Sequence, residues 1–189
     1  MDQTKKVANK SDNEIHIVDP VAAEVAYAQF LKESGVSHAL TSVKDTAKLA
    51  SELLIQRTSG LHQPTPRLSL IDFESNDSDW VVLDEIPFYS LCEHHFVPFF
   101  GTVKIEYMPH RWIAGLGGFI RLVDHFSKQP QLQERLTQQI GRSLCEQLQP
   151  KALQITLKAR QMCVELRGQP AICVETHFSY GNKSKQNQQ

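Results

Sequence analysis

Cys92 and His95 stand three residues apart in the segment Cys92-Glu93-His94-His95. This spacing lets a thiolate and an imidazole from one turn reach a single ion, and that donor pair suits zinc. Two protein ligands make a poor zinc site, so a third must come from elsewhere, and Cys163 is the best candidate by residue type. Three protein ligands leave the fourth position to water, which is the catalytic arrangement. His94, held beside such a water by its neighbour, could give or take a proton at a reacting nitrogen near neutral pH.

The competing reading is that Cys92, Cys145, Cys163 and Cys173 are small buried hydrophobes, as free cysteines usually are. For Cys145, within a long amphipathic stretch, and Cys173, within an apolar run, that reading is preferred, because no histidine lies nearby at a ligand spacing. Glu93-His94-His95 tips Cys92 toward metal. His16, His38, His62, His110, His125 and His177 are scattered and read as surface or internally satisfied residues.

Elements must exist to position these side chains. The chain has 189 residues, 41% of them hydrophobic, enough for one domain with its own core. A formal net charge of -1 gives no general reason to expect nucleic acid or an anionic membrane as partner. Four cysteines in a chain of this size do not make a disulfide scaffold, and no stretch is apolar and long enough to span a bilayer, so a cytoplasmic protein is expected.

The polar ends, 1–14 and 183–189, read as disordered tails, with an N-terminal helical segment over 15–60 and a catalytic domain over 61–182. Val21, Val25, Phe30 and Leu31 fit a helix stopping at Gly35; a second starts near Ser42, with Leu49, Leu53 and Leu54 on one face. Trp80-Val81-Val82-Leu83 and the alternating Val103, Ile105 and Tyr107 predict two strands, with the cysteine-histidine segment between them. Two helical patterns follow, one carrying Phe119, Leu122, Val123 and Phe126, the other Leu132, Leu136, Ile140, Leu144 and Leu148. Leu153, Ile155 and Leu157 begin another strand; continued, it puts Gln161, Cys163, Glu165 and Arg167 on one face. A turn at Gly168-Gln169-Pro170 then returns an apolar partner strand over 171–180. The order is ββααββ in an α+β fold.

Three segments together closely resemble the GTP cyclohydrolase I family: Ser90-Leu91-Cys92-Glu93-His94-His95-Phe96-Val97-Pro98-Phe99-Phe100-Gly101, Gln131-Leu132-Gln133-Glu134-Arg135-Leu136-Thr137, and Cys163 with Arg167-Gly168. The resemblance implies the tunnelling fold, an antiparallel sheet with two packed helices, with N-terminal helices added. It implies subunits associated as a decamer of two pentamers, with active sites between subunits. It also implies a zinc-dependent hydrolysis that opens the guanine imidazole ring at C8 of GTP, releases formate and leads to 7,8-dihydroneopterin triphosphate. By this resemblance Cys92, His95 and Cys163 hold Zn2+ and His94 is the acid. Glu134, with Gln133 beside it, reads the guanine edge, and Arg167, Arg121 and Lys48 meet the triphosphate.

The chain departs from the family at two places. Gly117-Gly118 replaces a Ser-Lys pair that contacts phosphate, leaving only backbone N–H groups to offer an anion. Gln161 replaces a second active-site histidine, and glutamine forms hydrogen bonds but cannot carry a proton at neutral pH. Slowed or truncated chemistry is therefore expected, with ring opening ahead of formate loss. The alternatives are a paralogue that stops at a formylated, ring-opened purine or uses another purine nucleotide, and a non-catalytic purine- or pterin-binding regulator.

Overall fold

The computed structural model of the chain describes residues 18–73 and 79–181. Both expected tails lie outside them. Asp19 starts helix α1 (Pro20–Glu33): its Oδ1 accepts from the N–H groups of Val21 and Ala22 at 3.0 Å, and Pro20 takes a position where no donor is needed. Ser42 starts α2 (Val43–Arg57) in the same way, accepting from Asp45 N–H at 3.2 Å. Both helices lie where the pattern predicts. They pack on each other, with Leu31, Ala47 and Ser51 buried, and Val21, Val25, Phe30, Leu49 and Leu53 are exposed.

Strands β1 (Leu70–Asp72), β2 (Val81–Cys92), β3 (Pro98–Met108) and β4 (Trp112–Ala114) precede α3 (Leu116–Ser127). Then come β5 (Pro130–Gln131), α4 (Gln133–Leu148), β6 (Ala152–Gln161), a single helical turn α5 (Met162–Glu165) and β7 (Cys173–Tyr180). The main sheet has the order β5-β2-β3-β6-β7, antiparallel except for the short β2–β5 pairing, and β1 and β4 form a separate ladder.

Alternation along β3 and β6 builds one apolar face. Val103, Ile105 and Tyr107 stand opposite Leu157, Ile155 and Leu153, all 1% exposed or less. Helices α3 and α4 cover this face with Phe119, Leu122, Leu136, Ile140 and Leu144, and each fully buried side chain of this size contributes roughly 1.5–3 kcal/mol of transfer free energy. Gly141 lets α4 approach β7 closely, since a Cβ there would fall 2.3 Å from Cδ1 of Phe178.

Two expectations are corrected. The β6 strand does not run on to Cys163; it ends at Gln161 and the chain coils into α5. Arg160 closes this turn by a two-pronged contact with Glu165, its Nε donating to Oε1 at 3.0 Å, and Leu166 N–H donates to Met162 O at 2.9 Å. Gly168, with φ 78°, ends it in the left-handed region. Cys173, expected to be buried, is exposed at the start of β7, because β7 is an edge strand with nothing beyond it among the described residues. Cys145 is half-buried, and burial followed by the nearby Glu146 pushes its thiol up to about 11.

Candidate metal centre and active site

Strand β2 delivers Cys92 to the end of the sheet, where the chain reverses. Phe96 N–H donates to Cys92 O at 2.8 Å and Cys92 N–H to Val97 O at 2.9 Å, with Phe96 at φ 54°. This tight turn folds His95 back so that its Nδ1 lies 3.7 Å from Cys92 Sγ. The α5 turn brings Cys163 to the same place, and the ligand atoms of Cys92, His95 and Cys163 all lie within 4.8 Å of one another. A tetrahedral zinc with bonds of about 2.0–2.3 Å separates its ligands by roughly 3.5 Å, so this donor set fits the ion with little closure. Burial, and then the neighbouring Cys92, push the Cys163 thiol above its ordinary value. Arg167 Nη2 lies 3.1 Å from His95 Nε2.

His94 is exposed on the same turn, with its ring 6.3 Å from that of His95 and its Nε2 4.0 Å from Glu93 Oε1. Glu93 in turn meets Arg135 of α4, whose Nε donates to Gln131 Oε1 at 3.0 Å. Gln131 is 1% exposed, its Nε2 donating to Phe126 O at 2.9 Å and Gln139 Oε1 at 2.7 Å, while its backbone carbonyl accepts from Glu93 N–H at 3.1 Å. This bracket under the turn escapes sequence reasoning, because a glutamine beside a proline carries no signal of burial.

Next to Cys92 lies a cavity of about 180 Å³ lined by Cys92, Gln133, Glu134 and Gln161, among others. Glu134 is exposed at the first turn of α4. Gln133 is 5% exposed and points at the sheet, its Nε2 donating to Leu157 O at 3.2 Å, Val174 O at 2.9 Å and Thr176 Oγ1 at 3.3 Å. Thr137 Oγ1 donates to Gln133 O at 2.9 Å and lies 2.7 Å from Thr176 Oγ1. Since the Thr137 proton is spent on a carbonyl, Thr176 must donate to Thr137, which closes a polar ring around Gln133. Gln133 Oε1 accepts from Gln161 Nε2 at 2.7 Å.

Lys48, Arg121, Gly117 and Gly118 do not line this cavity. Lys48 is exposed on α2 and Arg121 on α3. Gly117 and Gly118 open α3 beside the β1–β4 ladder, whereas it is the far end of α3, roughly 15 Å away by helix rise, that leads through β5 to Cys92. Gly118 is buried against Leu68, and a Cβ on it would fall 2.9 Å from Leu68 Cδ2.

The sequence model of GTP cyclohydrolase I matches residues 23–189, nearly the whole chain. The chain belongs to the GTP cyclohydrolase I family. It is 40% identical over 146 residues to GTP cyclohydrolase 1 of Streptococcus agalactiae serotype Ia, covering 77% of this chain and 78% of the relative. With GTP cyclohydrolase 1 of Finegoldia magna it shares 36% identity over 151 residues, 80% of this chain and 82% of the relative. The solved archaeosine synthase QueF-Like, in its apo form, overlaps 58% of this chain and 99% of its own at 20% identity and a TM-score of 0.47. Membership in the GTP cyclohydrolase I family makes the ββααββ core with its two covering helices the tunnelling fold of that family. Among the described residues no helix is long and apolar enough to cross a membrane.

Proposed function

We propose that this member of the family is a zinc-dependent hydrolase that opens the guanine imidazole ring of GTP at C8, on the route to 7,8-dihydroneopterin triphosphate and formate. The observation that carries this reading is the convergence of His95 and Cys163 on Cys92, which lines a cavity together with Glu134 and Gln161. Zinc held by these three residues supplies Lewis acidity and activated water at neutral pH. His94, exposed beside the donor set, is placed to hand a proton to the departing ring nitrogen. Glu134 offers two acceptor oxygens, the complement of the N1–H and N2–H edge of guanine. Gln133, its neighbour in the chain, has its own amide committed to the sheet and to Gln161.

A cavity of about 180 Å³ falls short of the roughly 300–1,000 Å³ of ordinary ligand pockets. This supports an active site completed by neighbouring copies in a ring-shaped oligomer of decamer type, with Lys48, Arg121 and the Gly117-Gly118 helix start contributing to the triphosphate from those copies and Arg167 from this one. The exposed apolar side chains of α1 and α2 suit such contacts.

A second reading, a paralogue that stops at the formylated ring-opened purine, is favoured by Gln161. Its amide is tied to Gln133 and has no proton to exchange at neutral pH. To test the first step, zinc-loaded and chelated protein are incubated with GTP and the nucleotide is followed by mass. A gain of one water, or full conversion to the pterin, with zinc alone is expected. GTP unchanged in both samples overturns the hydrolase and leaves a binding protein.

A further inference from the structure

The direction in which Gln161 points its amide is fixed by the fold. Leu157 O and Val174 O are backbone carbonyls and can only accept, so the group of Gln133 facing them must be its NH2. Gln133 Oε1 is then the atom turned to Gln161, and the group of Gln161 that meets it at 2.7 Å must be its NH2 in turn. The carbonyl oxygen of Gln161 is left over. Among the described residues no buried side-chain oxygen lacks a partner, and this one makes no hydrogen bond, so it is accessible, on a residue that lines the cavity.

From this geometry, and resting on the reading of the site as one for a guanine nucleotide, we infer that Gln161 is a specificity-determining residue: it presents a permanent acceptor that selects the hydrated or opened imidazole ring over the intact one. An N9-linked guanine has no N–H anywhere on its five-membered ring. Both N7 and C8 offer nothing to an acceptor, and the N7 lone pair repels one. When water adds across N7 and C8, the hydroxyl goes to C8 and the proton to N7, which creates a donor. When the C8–N9 bond then breaks, the hydroxyl proton passes to N9 and a formamide remains, with an N–H on each nitrogen. Whichever nitrogen faces Gln161, its oxygen gains a partner only after hydration. Cys92 and Glu134 line the same cavity and Cys163 lies two residues on in the chain, which puts this acceptor at the metal end of the site.

A neutral histidine at this position, donating its one N–H to Gln133, would offer the same lone pair and could also take a proton. Gln161 therefore keeps the acceptor and discards the proton carrier. It favours forming the opened ring and gives nothing toward releasing formate from it.

The test uses two probes that cannot be hydrolysed at C8: 8-oxo-GTP, which carries N7–H, and 7-deaza-GTP, which has C–H there. Their dissociation constants are measured with the zinc-loaded full-length protein, its Gln161→Leu variant and its Gln161→His variant. One neutral hydrogen bond corresponds to roughly a three- to tenfold preference, which the native protein and Gln161→His should show over Gln161→Leu. Because the preference is compared between proteins, any contact of the C8 oxygen with the metal cancels. An unchanged preference in Gln161→Leu, with the fold intact by circular dichroism, overturns the inference while leaving the nucleotide reading in place. A preference lost in both variants also overturns it, since the histidine retains the acceptor. Failure of the native protein to bind either probe removes the nucleotide reading and this inference with it.

Discussion

Arg135 of helix α4 reaches down to Glu93, the residue between the metal-side Cys92 and the exposed His94, and ties it to the buried Gln131. The turn carrying the candidate ligands is thereby fastened to a helix whose other face is core. Partly exposed ion pairs contribute little to global stability, but a contact that orients a ligand-bearing turn acts on metal affinity.

Arg135→Ala should therefore weaken zinc binding roughly tenfold in a chelator competition while lowering stability by less than about 1 kcal/mol. An affinity unchanged within twofold would show that the turn holds its shape without the bracket.

The cysteines should separate by reactivity. Cys173, exposed on the edge strand, should be alkylated first whether or not zinc is present. Cys145, with its thiol pushed up to about 11, should label slowly at pH 8. Cys92 and Cys163 should be protected by zinc and become reactive on chelation, as read by peptide mass mapping. Equal labelling of Cys92 with and without zinc contradicts its assignment as a ligand.

His125 is 7% exposed, and burial lowers its pKa despite the opposing charge of Asp124. The unfolded chain thus takes up this proton first. The folded state keeps its full advantage above the ordinary value of 6.5 and loses it as the pH falls below that value. Between pH 7.5 and pH 5.5, Tm should fall less in His125→Gln than in the native protein. Equal falls would mean that His125 is protonated in the folded state.

The two glycines of the Gly117-Gly118 departure should respond differently. A Cβ on Gly117 meets only Arg121 Nη1, at 3.2 Å, the movable end of a long side chain, whereas one on Gly118 meets Leu68 Cδ2 at 2.9 Å in the core. Gly117→Ala should raise stability by roughly 0.5 kcal/mol through helix propensity. In Gly118→Ala the crowding of Leu68 offsets that gain, so Tm should not rise. Leu68 is held in place by its N–H donating to Gln147 Oε1 at 2.8 Å, which is why the space is not simply vacated.

Much of this was legible in the sequence where periodicity or a cap decides the structure. The first helical pattern stops before Gly35, Ser42 starts the second helix, alternation at Val103, Ile105 and Tyr107 orients β3, and the cysteine-histidine turn and Cys163 come together as donor chemistry suggests. What could not be read was tertiary. The end of β6 at Gln161 depends on Arg160 meeting Glu165, a local pair that overrides an alternating pattern. The exposure of Cys173 depends on β7 being an edge strand. The burial of Gln131 and Gln133 depends on carbonyls supplied by distant segments, and nothing in a glutamine-rich stretch singles out which amide turns inward.

On the proposed reading, the metal end of this site opens the guanine ring, while Gln161 withholds the proton needed to finish. It is tested most directly by formate released per GTP consumed, measured side by side for the zinc-loaded native protein and Gln161→His. A ratio well below one is expected, with a formylated, ring-opened nucleotide accumulating, and a rise toward one in Gln161→His. Stoichiometric formate and a fluorescent pterin from the native protein, at a rate unchanged by Gln161→His, would contradict it.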